Sequence, residues 1–536
     1  MGGSLEGYNY LLLGQCRMKI SRRSVLSGAV VTGAAICLSR SSAINFVFAA
    51  ESRPDLAADP RRPQFHLLPA ANWMNDPNGP IYWNGRYHMF YQYNPNGAFW
   101  GDMHWGHAMG PDMVHWIHLP IALSPTPGGP DAGGCFSGTA VVEDGVVTVI
   151  YTGVVPAPED EAPIRDGKHS LRESQCLATT KDPELRSWSK LPEPVIAAPP
   201  VHMKVTGFRD PSPWRLGEWW YMTVGSGIPN QGGAVLLYRS KDLQHWEYQH
   251  IVAGGKGKGI DTPNKVDSGD MWECPDLFLL DGQHVLIYST AGKACWQSGE
   301  LDPKEMLFHP KRTGILDYGS YYAPKTQLDK SGQRILWGWV PETRPLEQYR
   351  AAGWAGMMSL PRVLTVDGSG HLSMTVAPVV EILRRSEQVL VPIADEEQNR
   401  RKINSMRLHG CCGEIHCTIR RSIEPFSLSL VSPTEGQTDS TLMSIRYDPN
   451  HPGHVSVDDK AIPIHLDKAG LLELHMYVDG SVIELILNKQ AGCTKRFYYP
   501  DSHAPEIALH ITGKSTTIAK LTLWHLAPIS PNRLTT

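Results

Sequence analysis

From about residue 63 to 375, apolar and polar positions alternate in short runs broken by glycine, and no long 3.6-residue period interrupts them. The runs come in pairs. "DPNGPIYWNGRYHMFYQYN" from Asp76, "DPSPWRLGEWWYMTVGSG" from Asp210 and "ECPDLFLLDGQHVLIYST" from Glu273 each read acid, proline, apolar strand, glycine turn, second strand. "CFSGTAVVEDGVVTVIYTG" from Cys135 and "APKTQLDKSGQRILWGWV" from Ala323 repeat the hairpin without the leading acid. The turn glycines Gly85, Gly145, Gly217, Gly282 and Gly332 are 60, 72, 65 and 50 residues apart. A second marker, "DMVHW", "DPELRSW" or "DLQHW", follows three of the hairpins and ends at Trp116, Trp188 and Trp246. Five such units predict a five-bladed β-propeller, in which equivalent positions converge on one axis.

After Pro378 the markers stop but alternating strands continue. "VVEILRRSEQVL" predicts a short connecting helix, and "LELHMYVDGSVIELILN" predicts a hairpin turning at Asp479–Gly480. The expected architecture is all-β: a propeller over residues 63–377, a linker with a short helix over 378–400 and a β-sandwich over 401–536. The arginine pairs at 384–385, 400–401 and 420–421 read as solvated faces or interdomain partners. Residues 1–50 read differently: Arg22 and Arg23 precede an uncharged apolar run, and "VFAA" offers a small-residue cleavage site. That pattern resembles a bacterial twin-arginine-type export leader, so the mature chain is expected in the periplasm or outside the cell with no membrane anchor.

The totals narrow the partners. With 50 basic and 54 acidic side chains the net charge is −4, which gives no electrostatic reason to propose nucleic acid or an anionic membrane. Sixteen Trp and nineteen Tyr supply flat faces suited to sugar rings, although β-proteins also use aromatics in their cores. The eight cysteines after the leader form no CxxC pair, which argues against a structural zinc site, and their pairing is not readable. His104, His107, His115 and His118 crowd together, but no acidic ligand completes a metal spacing, so no metal is expected.

Asp76, Asp210 and Glu273 stand at the same place in units one, three and four, 134 and 63 residues apart. In a propeller they should meet at one end of the axis, with Asn75, Arg209 and Cys274 beside them. Calcium wants six or more oxygen ligands, and three acids without a local Asp-x-Asp run are thin for that. Glycoside cleavage needs a nucleophilic carboxylate and a protonated carboxyl, and close carboxylates push one pKa upward. No cofactor is required for that chemistry.

"WMNDPNG", "FRDP" and "WECPDLF" resemble the three signature blocks of glycoside hydrolase family 32, the invertase, inulinase and levanase family. "YQYNP", "WGHA", "FSGT", "DYGSYYAPKT" and "GWAGMMSLPR" agree in order, so the resemblance spans nearly the whole mature chain. It implies a propeller followed by a sandwich. It also implies a retaining β-fructofuranosidase with Asp76 as nucleophile, Glu273 as acid/base and Asp210 as transition-state stabiliser. By the same resemblance Asn75, Gln92, Trp100, Phe136, Ser137 and Arg209 line the fructose subsite. Trp73 is expected as a pocket wall, with Tyr322 and Trp339 contributed by the last blade. The implied substrates are sucrose and fructans. A fructosyltransferase using the same acids is the near alternative, and a non-catalytic carbohydrate-binding propeller the remote one. Substrate length would depend on rim loops such as 156–175 and 254–268.

Overall fold

The protein was analysed as a computed structural model that describes residues 55–158, 162, 164–165, 170–255, 271–420, 424–433, 439–466, 470–499 and 506–535. The expected leader, part of the rim loop 156–175 and most of the rim loop 254–268 lie outside the described residues. Five antiparallel sheets follow one another from residue 72 to 376. Blade 1 comprises Asn72–Trp83, Arg86–Asn94, His104–Gly110 and Ile117–Leu123, and blade 2 Gly134–Glu143, Val146–Pro156, Ser170–Thr180 and Ser189–Lys190. Blade 3 comprises Phe208–Leu216, Trp219–Ile228, Gly232–Ser240 and Glu247–Gly254, and blade 4 Glu273–Leu280, Gln283–Thr290, Lys293–Leu301 and Phe308–Asp317. Blade 5 comprises Tyr322–Leu328, Arg334–Val340, Arg362–Val366 and Leu372–Val376. The first strand of each blade neighbours those of the next and previous blades, so the five form the inner ring. The ring closes where Trp354–Ala355 pairs in parallel with Asn72–Trp73 of blade 1.

All five turn glycines sit at the hairpin between first and second strands, with φ from +63° to +84° and open space where a Cβ would project. Asn84, Asp144 and Asp281 precede three of them at φ +46° to +48°, the pattern of type I′ turns. The Asp–Trp marker is also explained. Asp112, Asp182 and Asp242 each accept backbone amides of the residues that follow, and the indoles of Trp188 and Trp246 donate back to Leu185 and Leu243 carbonyls. Blade 4 makes the same acceptor turn at Asp302 without a tryptophan, which hid it from sequence comparison.

Each inner strand carries a β-bulge at its entrance: residues 75–76, 136–137, 210–211, 274–275 and 323–324 break the register with the second strand. This corrects the expected phase of the acids. Asp76 is the second residue of its bulge, Asp210 the first of its own, and Glu273 immediately precedes one. Alignment on the acids hides a stagger of one residue between Asp76 and Asp210 and of one more to Glu273, which the bulges absorb.

The sandwich has two six-stranded faces. One runs Ala491–Arg496, Val482–Leu487, Leu471–Asp479, Cys412–Arg420, Ile518–Leu526 and Arg384–Leu390. The other runs Arg407–Leu408, Ile507–Thr512, Phe426–Ser432, Ser440–Tyr447, His454–Val457 and Lys460–Pro463, over a core including Leu428, Leu474 and Leu485. The stretch expected as a connecting helix is a 3₁₀ turn at Pro378–Leu383 followed by the edge strand Arg384–Leu390. Pairing overrides helical preference there, because Arg384 lies 4.1 Å over the Trp524 ring and binds Glu414 at 2.6 Å. The nearby α-helix is instead Glu396–Ser405, started by Asp395, whose carboxylate accepts the Gln398 amide.

Propeller and sandwich meet over a buried charge network. Asp479, at the expected hairpin turn, accepts the amides of Gln64, Phe65 and His66, and its carboxylate also faces His66 Nδ1 at 2.8 Å. Glu484 faces His66 Nε2 at 2.9 Å and Arg362 Nη2 at 2.6 Å, and Arg362 reaches Asp317 at 3.0 Å. All five of these ionisable side chains are fully buried. Burial alone would depress the His66 imidazolium, but Asp479 and Glu484 outweigh it and hold it at about 9. Gly492 is required at this seam, since a Cβ would lie 2.3 Å from Asp317 Oδ2. Blade 4 continues into the sandwich sheet at that point, Asp317 pairing with Gly492.

Candidate active site

The bulges bring the three acids to one end of the axis. Asp76 Oδ2 accepts the Ser137 hydroxyl at 2.7 Å, and Oδ1 accepts the Asn75 amide at 3.0 Å. Asn75 Oδ1 in turn receives the Trp73 indole at 2.7 Å, so the "WMND" run is a relay ending on the carboxylate. Asp210, buried and held at φ +64°, accepts the Cys274 amide at 2.8 Å while its own amide donates to Thr152 Oγ1. The Cys274 thiol lies 3.5 Å from Asp210 Oδ2 and 3.7 Å from Asp76 Oδ2, which joins the two carboxylates. Glu273 accepts Arg209 Nη2 at 2.6 Å on one oxygen and the Tyr322 hydroxyl at 2.5 Å on the other. A non-glycine residue with positive φ is uncommon, and Asp210, Cys274 and Ala323 all adopt it at the first bulge position.

The electrostatics separate the three acids. Burial pushes the Asp76 carboxyl up to about 6, with Asp210 and Glu273 adding to the rise against Ser137 and Asn75. Burial raises Asp210 as well, opposed by Arg209. Burial would also raise Glu273, but the Arg209 charge and the Tyr322 and Arg209 hydrogen bonds outweigh it and hold Glu273 below the usual range. The Cys274 thiol is driven well up by burial and by both aspartates, so it packs as a neutral group.

The remaining expected residues divide into wall and support. Trp73, Trp339, Trp100 and Phe136 form the aromatic rim: the Trp73 and Trp339 rings are 5.9 Å apart, and Trp100 meets Phe136 edge-on at 5.8 Å. Trp100 is 36 % exposed and faces solvent. Gln92 stands one strand behind; its buried amide donates to the Cys135 carbonyl at 2.9 Å and braces the blade-2 bulge. The crowded histidines separate, His107 pairing with His88 at 3.0 Å and His115 with Asp112 at 3.0 Å. Two site residues escaped sequence reasoning. Glu173, a fully buried carboxylate, holds Arg209 Nη1 at 3.1 Å and accepts the Phe208 amide. The only signal was one acid inside the otherwise uncharged run "ESQCLATT". Tyr349, on the short helix α1 (Leu346–Ala352), packs its ring 6.0 Å from that of Trp73.

The profile of the glycosyl hydrolases family 32 N-terminal domain matches residues 66–376, and that of the family 32 C-terminal domain matches residues 380–525. The chain belongs to glycoside hydrolase family 32. Among family 32 proteins it is 34 % identical over 487 residues to the sucrose-6-phosphate hydrolase of Escherichia coli, covering 87 % of this chain and 94 % of that one. The raffinose invertase of the same organism is 33 % identical, covering 87 % and 95 %. In three dimensions it resembles a mutant of the Bombyx mori β-fructofuranosidase BmSUC1 in complex with sucrose, with TM-score 0.71 and 28 % identity over 89 % of this chain and 96 % of that one. The fructan 1-exohydrolase IIa of Cichorium intybus in complex with 1-kestose gives TM-score 0.70 at 26 % identity, over 88 % and 98 %. Family 32 membership makes the chain a β-fructofuranosidase-like glycoside hydrolase, and the five-bladed propeller with its sandwich is the family architecture.

Proposed function

We propose that this chain is an exported, retaining β-fructofuranosidase that removes terminal β-D-fructofuranosyl units from sucrose or fructans. Asp76 is the nucleophile, Glu273 the acid/base and Asp210 the stabiliser of the oxocarbenium-like transition state. The observation that supports this most is the division of labour among three adjacent carboxylates. Asp76 is aimed by Ser137 and Asn75, Asp210 is buried on the Cys274 amide, and Glu273 alone carries a cation and a phenol that can exchange.

In the first step Asp76 attacks the anomeric C2 while Glu273 delivers its proton to the departing oxygen, leaving a fructosyl ester on Asp76. Glu273, now a carboxylate, removes a proton from water, which opens the ester and returns Asp76. In the free protein the protons sit the other way round, because Asp76 is raised to about 6 and Glu273 is lowered. A bound sugar therefore has to loosen Arg209 and Tyr322 from Glu273 before that group can act as an acid. The three carboxyl groups share protons as one unit, so the titration belongs to the cluster.

Sucrose 6-phosphate, raffinose and sucrose share the β-fructofuranosyl group, which is the part these three acids would hold. The Arg22–Arg23 leader favours the neutral sugars, since phosphorylated sucrose is a cytoplasmic compound. The test is a product assay on the leaderless protein with sucrose, sucrose 6-phosphate, inulin and levan. NMR of the first fructose released reads its anomeric form. Fructose retained as the β-anomer, with sucrose cleaved faster than its phosphate, is the expected result. Inverted fructose would remove Asp76 from the nucleophile role. No release by the folded protein would leave a sugar-binding propeller.

A further inference from the structure

Blade 5 leaves its second strand at Val340 and returns at Trp354, and the excursion between carries α1, none of whose residues is buried. Two consecutive side chains of α1 reach over the mouth of the site. Tyr349 meets Trp73, and the Arg350 guanidinium lies 4.6 Å over the Phe99 ring, next to Trp100. The acids lie at the bottom, where Asp210 is 3 % exposed, so a fructosyl group held by them must project its leaving group towards this rim. Glu273 belongs to blade 4 and its partner Tyr322 to blade 5, so the proton is delivered on the side from which α1 arises.

The excursion is gripped at its base by the other domain. Glu342, almost fully buried, accepts Arg344 Nη2 at 2.8 Å and the Tyr498 hydroxyl, with Arg496 Nη2 at 3.6 Å. Arg344 also donates to the Trp354 carbonyl at 3.0 Å, so one guanidinium ties together the start and end of the excursion. Its carbon lies 4.7 Å over the Trp354 ring and 4.8 Å over that of Tyr498. Arg496 ends a sandwich strand and Tyr498 follows it. Burial alone would raise the Glu342 carboxyl, but Arg496 and Arg344 outweigh it and hold it at about 2, so the clamp stays ionised at any working pH.

Resting on the fructosidase reading, we propose that Tyr349 determines specificity by contacting the leaving-group sugar. Glu342, clamped by Arg496 and Tyr498 of the sandwich, is the residue that positions it. The sandwich then shapes substrate choice without touching substrate. The experiment compares kcat and KM on sucrose, 1-kestose and methyl β-D-fructofuranoside, which share the fructosyl group and differ in what departs. Tyr349→Ala should lower kcat/KM for sucrose and 1-kestose about 3–10-fold relative to the methyl glycoside, mainly through KM, and Tyr349→Phe should restore most of it. Tyr498→Phe and Glu342→Gln should shift the same ratio in the same direction. If Glu342→Gln does not fold, Tyr498→Phe carries the test of the clamp. Equal losses on all three substrates, or no loss on any, would overturn the assignment. Wild-type protein inactive on all three would instead overturn the fructosidase reading, a separate and recognisable result.

Discussion

The seam between the domains offers a sharp test through His66. Its imidazolium is held at about 9 against an ordinary 6.5 by Asp479 and Glu484, which overcome the effect of burial. That difference, at 1.36 kcal/mol per unit, corresponds to about 3 kcal/mol of folding stability. Because the folded value is the raised one, the contribution is fully present below pH 6.5 and fades as pH rises through 9. His66→Gln keeps a hydrogen-bonding side chain of similar reach and removes the charge. It should lower stability by about 3 kcal/mol at pH 6, or about 6–12 °C in Tm for a unfolding unit of 150–250 residues. The gap should close steadily between pH 7 and 10. Differential scanning calorimetry of both proteins across that range reads it directly, with kcat at 25 °C expected to stay unaltered because the network lies away from the acids. A gap that stays constant with pH would show that His66 is neutral in the folded protein and would refute the reasoning.

Three further outcomes follow from the geometry. Asp76→Asn should lower kcat by at least about 10⁴-fold while leaving Tm nearly unchanged, since the amide keeps the Ser137 and Asn75 neighbourhood; a folded variant with near-normal turnover would remove the nucleophile assignment. The profile of kcat/KM against pH should be bell-shaped with its alkaline limb near 6, set by Asp76, and Tyr322→Phe should move the acid limb upward by relieving Glu273; an acid limb that stays in place would show that Tyr322 does not set that group. Gly492→Ala should destabilise by about 3 kcal/mol or more, because its Cβ would press on Asp317 and Arg362 inside the fully buried network; an unchanged Tm would show that the seam can relax.

The propeller was legible because its turns are chemically repetitive: an Asn–Gly or Asp–Gly pair between two apolar strands marks three of the blades, and glycine alone the other two. The sandwich hairpin at Asp479–Gly480 was visible for the same reason. What stayed hidden depends on partners far along the chain. Arg384–Leu390 looks helical by itself and becomes a strand because Leu521–Leu526 is there to pair with it. The bulges that stagger Asp76, Asp210 and Glu273 leave no residue signature, since a proline following an acid fits either register. The acids themselves could be found from motif, whereas Glu173 could not, because its meaning comes from Arg209, 36 residues later. The helix at Glu396–Ser405 was readable in principle, since Asp395 followed by two glutamates is an N-terminal helix signal.

The ring is closed by Trp354–Ala355 lying beside Asn72–Trp73, the residues just before Asn75 and Asp76. Seen as an order of events, the nucleophile's strand is made early and its lateral support late. During synthesis at about 5–20 residues per second, Trp73 waits roughly 14–56 s for the segment that flanks it. Tyr322 and Glu342 are made only shortly before that segment, and Tyr498, which completes the Glu342 clamp, follows later still. The chain therefore has no competent site until blade 5 has been made, so catalytic activity arises once, at the closing of the circle, and does not accumulate blade by blade.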